Sequence, residues 1–178
     1  YIDDNMKAYN AIINENLCVN CGACEKVCPQ NYPMKMNIPL IWKQGWATNE
    51  EIRHNASSGG IATAIAVSFI NQGGIVCSCV LRQGEFIFDF AYSVEDVQKF
   101  VGSKYVKSTP VGVYQKIKNF LLKGNKVLFI GLPCQSAAIQ SYVNRHQFLY
   151  TIDLICQGTP TPKLLQMFLT EKGYQIEQ

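Results

Sequence analysis

Histidine is nearly absent from this chain: His54 and His146 are the only two in 178 residues. Neither sits in a recognisable motif. Both read as surface residues, and no side-chain general base or nucleophile is nominated. Long apolar runs are also missing, the most apolar segment, Ile61 to Ile70, being about half the ~20 residues a membrane span needs. The start, Tyr1-Ile-Asp-Asp, has no basic region leading into an apolar core, so no secretory signal is read. Acidic residues vanish from one long stretch: between Val97 and Ile152 there is no Asp or Glu. Lys99, Lys104, Lys107, Lys116, Lys118, Lys123, Lys126 and Arg145 all fall there, against a net charge of only +3 for the whole chain. That stretch is either a solvated lysine face or a field suited to a phosphate group or an acidic redox partner. Nucleic acid is not expected, because the lysines are not interleaved with a binding motif.

Hydrophobic residues make up 48% and charged residues 16%, which excludes a disordered tail. At ~150 residues per domain, the length fits one domain with a small appendage. The conspicuous presence is cysteine. Of eight in total, Cys18, Cys21, Cys24 and Cys28 lie within eleven residues and are followed by Pro29. Gaps of two, two and three residues ending in proline form the bacterial ferredoxin run, which curls around a 4Fe-4S cube. Gly22 allows a close backbone approach, and Pro29 stops a helix from continuing. Structural zinc is the alternative, although zinc knuckles are usually separated by a longer stretch. Disulfides are disfavoured, since nothing else points to secretion. In two-cluster ferredoxins the fourth cysteine serves the other cluster, and no second such run occurs here. Either a partner motif lies upstream of Tyr1 in a longer protein, or one cluster takes a remote fourth ligand.

The other cysteines fall in two groups. Cys77 and Cys79 lie on one face of an apolar strand-like run and read as small buried hydrophobes. Cys134 and Cys156 each follow an apolar strand-like run and precede a helical one. That places both at carboxyl ends of strands, where open α/β sheets bind ligands; position alone leaves a functional and a structural role equally open.

Residues 1–45 read as a small cluster-wrapping segment punctuated by Pro33, Pro39 and Gly45, with Trp42 and Trp46 expected to pack it against the rest. Beyond it, helices and strands alternate. Helix is expected from Ile61 to Phe69, strands at Ile75–Leu81 and Phe86–Tyr92 around a Gln83-Gly84 turn, and a short Ser93-capped helix to Phe100. Then come helix Val113–Leu122, strand Lys126–Ile130, helix Gln135–Val143, strand Phe148–Ile155 and helix Lys163–Leu169. The fold class is therefore α/β, a largely parallel sheet flanked by helices and preceded by a small ferredoxin-like cluster-binding segment. The domain boundaries are 1–45 and 46–178. Three loops stand at element junctions. Ser57-Ser58-Gly59-Gly60 opens a helix, as either an anion site or an ordinary cap. Gly102-Ser103-Lys104-Tyr105 combines a hydroxyl, a cation and a ring, and Gly131-Leu132-Pro133-Cys134-Gln135 turns from strand to helix.

Four collinear stretches together resemble the family of coenzyme F420 hydrogenase and dehydrogenase beta subunits: Ser57 to Ala66, Gly102 to Ser108, Val127 to Gln135, and Asp153 to Gly158 with Pro160 after it. They cover roughly residues 50–172. The cysteine run looks like the ferredoxin module that bacterial members often carry. The resemblance implies FAD bound at these loops, with Ser57, Ser58, Gly59 and Gly60 at its phosphate or ring-side groups. It implies Gly102, Ser103, Lys104 and Tyr105 approaching the flavin, and Pro133 and Gln135 binding it from the third loop. Cys134 and Cys156 would be two of four ligands of a flavin-proximal cluster. One departure is that the family's usual Cys-His-Gly reads Cys156-Gln157-Gly158. Another is that the family's later Cys-x-x-Cys is not found before Gln178. This second gap and the missing upstream half of the ferredoxin module lead to the expectation of a fragment of a longer redox subunit.

The function expected is thus a cytoplasmic iron–sulphur flavoprotein oxidoreductase subunit. It would pass electrons between 4Fe-4S clusters, FAD and a redox partner such as a ferredoxin, another subunit, a deazaflavin or another hydride carrier. The alternatives are a non-catalytic ferredoxin-like relay without flavin and a zinc-stabilised interaction protein.

Overall fold

A computed structural model describes residues 2–3, 8–9, 12–33 and 38–174; the two chain ends, Tyr1 and Gln178, lie outside the described residues. Strand β1 (Ile2–Asp3) pairs antiparallel with β2 (Ala8–Tyr9). In the cysteine run, Gly22 takes φ +67° and opens one helical turn, α1 (Ala23–Lys26). Glycine serves that left-handed turn, and Pro29 follows soon after the helix ends. The next helix, α2 (Glu50–Asn55), is additional to those expected from periodicity. Its signal is local: Asn49 caps it, Oδ1 accepting from the Ile52 amide at 3.0 Å, with Glu50 and Glu51 in the first turn.

Helix α3 (Ile61–Asn71) leads through Gly73 and Gly74 into β3 (Ile75–Arg82), which turns at Gln83-Gly84 into β4 (Glu85–Ala91). Both turn residues have positive φ, 52° and 77°, as a two-residue hairpin of matching twist requires. A 3₁₀ helix, η1 (Glu95–Phe100), follows where a short helix was expected, with Ser93 Oγ accepting from the Asp96 amide at 3.3 Å. Then come α4 (Val113–Leu122), β5 (Val127–Gly131), α5 (Pro133–Tyr142), β6 (Leu149–Asp153) and α6 (Pro162–Lys172).

The main sheet has the order β4-β3-β5-β6. β3–β5 and β5–β6 are parallel, while β4 pairs antiparallel with β3 at the edge. The sheet is mixed and flanked by helices on both faces. Alternation along β3 sends Ile75 and Cys77 to one face, with Phe129, Ile117 and Ile139, and Val76 to the other, with Ala66, Val97 and Leu128. Central β5 is buried along its whole length, as a parallel strand covered on both faces should be.

Two expectations are corrected. Trp42 and Trp46 are 86% and 62% exposed, so neither indole packs the early segment onto the domain. The last strand stops at Asp153, because β5 ends at its pairing partner Gly131 and leaves the apolar Leu154-Ile155 without a ladder. Among the described residues no helix is long and apolar enough to cross a membrane.

Candidate functional site

The carboxyl ends of β3, β5 and β6 point the same way, and the four stretches singled out above gather at that end, each tied to another by a hydrogen bond. The Ser103 amide donates to Ser57 Oγ at 2.9 Å. The Lys107 amide donates to the Pro160 carbonyl at 3.0 Å, and the Leu154 amide to the Gly131 carbonyl at 2.9 Å. Gln135 Nε2 donates to Ser108 Oγ at 3.1 Å in a buried contact.

Each loop has a local cause. Gly60, at φ +73°, begins α3 without a side-chain cap, so the first-turn amides of that helix are not answered by a capping oxygen. A Cβ on Gly60 would lie 3.1 Å from Ile52, and one on Gly59 3.2 Å from Trp46 Cβ. The two glycines therefore let the loop close against residues 46–52, and the Ala47 amide donates to the Gly59 carbonyl at 2.7 Å. Ser58 is exposed. At the second loop Gly102 has φ +84° with open space around it, and Tyr105 is 79% exposed. Lys104 is half-buried and donates from Nζ to the Phe100 and Val101 carbonyls at 2.8 and 2.9 Å. Burial pulls its pKa down from the ordinary lysine value.

Pro133 and Cys134 are exposed at the start of α5, but Gln135 is buried and faces inward. Its Oε1 accepts from the Leu132 amide at 3.0 Å, and its carbonyl accepts from the Tyr114 hydroxyl at 3.1 Å. Gln135 therefore joins two loops and holds the Cys134 turn. Ser108, which receives Gln135 on one side, hydrogen-bonds Cys79 on the other. Burial raises the Cys79 and Cys77 thiols above the ordinary value, which leaves both neutral and suits their reading as core residues.

Beside these loops lies a cavity of about 890 Å³, within the ~300–1,000 Å³ range of small-molecule and cofactor pockets. One wall carries Gly102, Ser103, Lys104 and Tyr105. Apolar groups from β3, β4 and α6, among them Leu81, Phe86, Leu164 and Phe168, complete it. The contribution of α6 has no sequence signal, since an amphipathic pattern does not say what its apolar face meets. A second concavity, about 700 Å³, is lined by Glu50, Glu51, Arg53 and His54 of α2 alone and includes none of the loop residues.

All eight cysteines are free. Cys134, in the first turn of α5, and Cys156, on the loop after β6, are exposed just beyond neighbouring parallel strands, and the Gly158 amide donates to Cys156 Sγ at 3.3 Å. In the early run Cys18, Cys21 and Cys24 are exposed and Cys28 half-buried, and the Asn20 amide donates to Cys18 Sγ at 3.4 Å. Among the described residues no three His, Cys, Asp or Glu side chains stand close enough to hold a metal ion. The donor types nevertheless fit an iron–sulphur cluster: four thiols within eleven residues, three exposed and one half-buried, with an amide already directed at the Cys18 sulphur. The cavity fits a flavin ring by volume and apolar walls, and the uncapped α3 amides fit a phosphate.

Known proteins resemble the chain over most of its length. The family model for the N-terminal part of the coenzyme F420 hydrogenase/dehydrogenase beta subunit matches residues 43–114, and that for its C terminus matches residues 124–178. A 4Fe-4S binding domain model matches residues 11–31. An uncharacterized protein of Methanocaldococcus jannaschii is 31% identical over 129 residues, which is 68% of this chain and 36% of that protein. A subunit of the F420H2 dehydrogenase of Methanosarcina mazei is 24% identical over 146 residues, covering 79% of this chain and 41% of that protein. Among solved structures, a chain of the F420-reducing nickel–iron hydrogenase complex from Methanosarcina barkeri superposes with a TM-score of 0.58 at 25% identity. That match covers 71% of this chain and 47% of the other. The chain thus spans less than half the length of each of these relatives.

Proposed function

The chain belongs to the coenzyme F420 hydrogenase/dehydrogenase family, as a member of its beta-subunit branch, and on that premise we propose that it forms the flavin- and cluster-holding part of a cytoplasmic oxidoreductase subunit. The observation that carries the proposal is the joining of four separate loops by hydrogen bonds at the strand ends, beside a cavity of cofactor size.

In this reading the α3 amino terminus and the hydroxyls of Ser57 and Ser58 hold the FAD phosphates, where unbonded amides and the helix dipole favour negative charge. The apolar walls take the ring and exclude water, and Tyr105 lies exposed at the rim to cover it. Cys134 and Cys156 supply two thiolates for a cluster beside the flavin. Gln135 fixes the first of these turns through Leu132 and Ser108. Cys18, Cys21, Cys24 and Cys28 hold ferredoxin-type 4Fe-4S iron, and because ligation must gather thiols that stand apart, cluster assembly and ordering of the loop are coupled. When bound, the flavin exchanges two electrons with a hydride carrier and single electrons with clusters. The partner is another redox protein, a ferredoxin or a further subunit, with a deazaflavin or similar carrier as the hydride source. The segments 1–45 and 46–178 serve as the cluster and flavin parts.

Anaerobic mixing of the full-length protein with reduced deazaflavin or reduced nicotinamide, followed by absorption, tests the reading. Bleaching of flavin bands followed by bleaching of the broad cluster absorption is the expected course. Reduction by a ferredoxin with no flavin bands present would instead assign a relay.

A further inference from the structure

Two lysines line the cavity, and their surroundings differ. Lys99 is answered by carboxylates: Asp89 stands 3.1 Å and Asp96 3.9 Å from its Nζ. Lys104 is not. Among the described residues no carboxylate lies within ion-pair distance of Lys104, and the stretch around it holds no acid between Val97 and Ile152. Its ammonium has three N–H donors, and two go to the Phe100 and Val101 carbonyls. One donor and a full charge remain, on a half-buried group in the wall of a largely apolar cavity. A buried charge without a counter-charge is costly, and this one is pinned in place by two hydrogen bonds. Such a group is matched by a ligand that brings negative charge into the cavity.

Which part of a ligand brings it follows from the walls. A phosphate is strongly hydrated and poorly suited to Leu81, Phe86, Leu164 and Phe168, whereas the open helix amino terminus at Gly60 offers it amides. A flat apolar ring suits those walls. A flavin ring is neutral when oxidised; a hydride donor delivers two electrons and one proton together, so the ring gains one negative charge as the donor loses its hydride. We propose that Lys104 is the fixed cation that stabilises the reduced, singly negative flavin ring, and so sets the potential at which it accepts hydride. The proposal rests on the flavin reading above. It adds a role for one side chain in choosing between the two redox states.

The test is to measure the affinity of full-length wild-type, Lys104→Met, Lys104→Gln and Lys104→Arg proteins for added FAD in oxidised and reduced form, anaerobically, with circular dichroism as a check on folding. Lys104→Met and Lys104→Gln should lose affinity for reduced flavin at least about tenfold more than for oxidised, the scale of one hydrogen bond to a charged group. By linkage that is a drop of about 30 mV in the two-electron potential. Lys104→Arg should retain the wild-type ratio. Equal weakening of both forms would assign Lys104 to the phosphates and overturn the proposal, as would an unchanged ratio. A wild-type protein that binds neither form overturns the flavin reading itself, a distinct outcome. Should Lys104→Met not fold, Lys104→Gln carries the same comparison.

Discussion

The amide of Ser103 donates to the side-chain oxygen of Ser57 at 2.9 Å, across 46 residues of sequence. This contact ties the loop after η1 to the start of α3, and so fixes where the proposed phosphate-binding amides stand relative to the ring-binding wall. Ser57 is exposed, and an exposed hydrogen bond contributes little to stability, on the order of 0.5–1.5 kcal/mol. Ser57→Ala is therefore expected to lower the melting temperature only slightly while weakening FAD binding severalfold. Thermal denaturation and flavin titration on the same preparation separate the two effects.

Gln135 answers three groups at once: the Leu132 amide, the Ser108 hydroxyl and, through its carbonyl, the Tyr114 hydroxyl. Replacing its side chain by leucine keeps the volume but leaves the half-buried Leu132 amide without a partner and takes from Ser108 one of its two. The expected loss is about 1–3 kcal/mol for the amide left unsatisfied, read by urea unfolding. Ser108→Ala should cost less, since Gln135 keeps its bond to Leu132.

Asp89 sets an acid limit on stability. Burial alone would raise its pKa, but hydrogen bonds from the Phe90 backbone, Lys99 and Arg82 outweigh it and hold the carboxyl below its ordinary value. A carboxylate depressed in the folded state contributes stability that is fully present above its unfolded pKa of about 3.9 and is lost as pH falls through the folded value. Asp89→Asn is expected to be less stable than wild type at pH about 7, with the gap closing below pH about 4. A constant gap across that range would contradict the assignment.

The cysteines divide by exposure. Cys21→Ser should remove the iron of the ferredoxin-type cluster from the full-length protein, and Cys134→Ser that of a second cluster. Cys77, fully buried with its thiol pushed up by burial, is no ligand, and Cys77→Ala should leave iron content unchanged. Iron and acid-labile sulphide analysis of anaerobic preparations decides all three.

Much of the fold was legible because periodicity and punctuation agree. The turns at Gly73-Gly74, Gln83-Gly84 and Gly124 bound their elements within a residue or two. The end of β6 was overrun because Leu154 and Ile155 are apolar, and only strand pairing, which stops at Gly131 and Asp153, marks the boundary. Trp42 and Trp46 misled for a related reason: an aromatic residue advertises burial without saying against what. The site loops were legible as glycine-marked junctions. Their hydrogen-bonded joining, the inward turn of Gln135 and the place of α6 in the cavity wall are long-range facts that no local pattern encodes.

We propose that one chain of this family holds both flavin and iron–sulphur clusters. Anaerobic purification of the full-length protein, with an absorption spectrum and quantitation of iron, zinc and released flavin, tests it most directly. The predicted result is twin-peaked flavin absorption above a broad brown background, with FAD released on denaturation and iron in excess of any zinc. A brown protein without flavin, or a colourless one containing zinc, would contradict it.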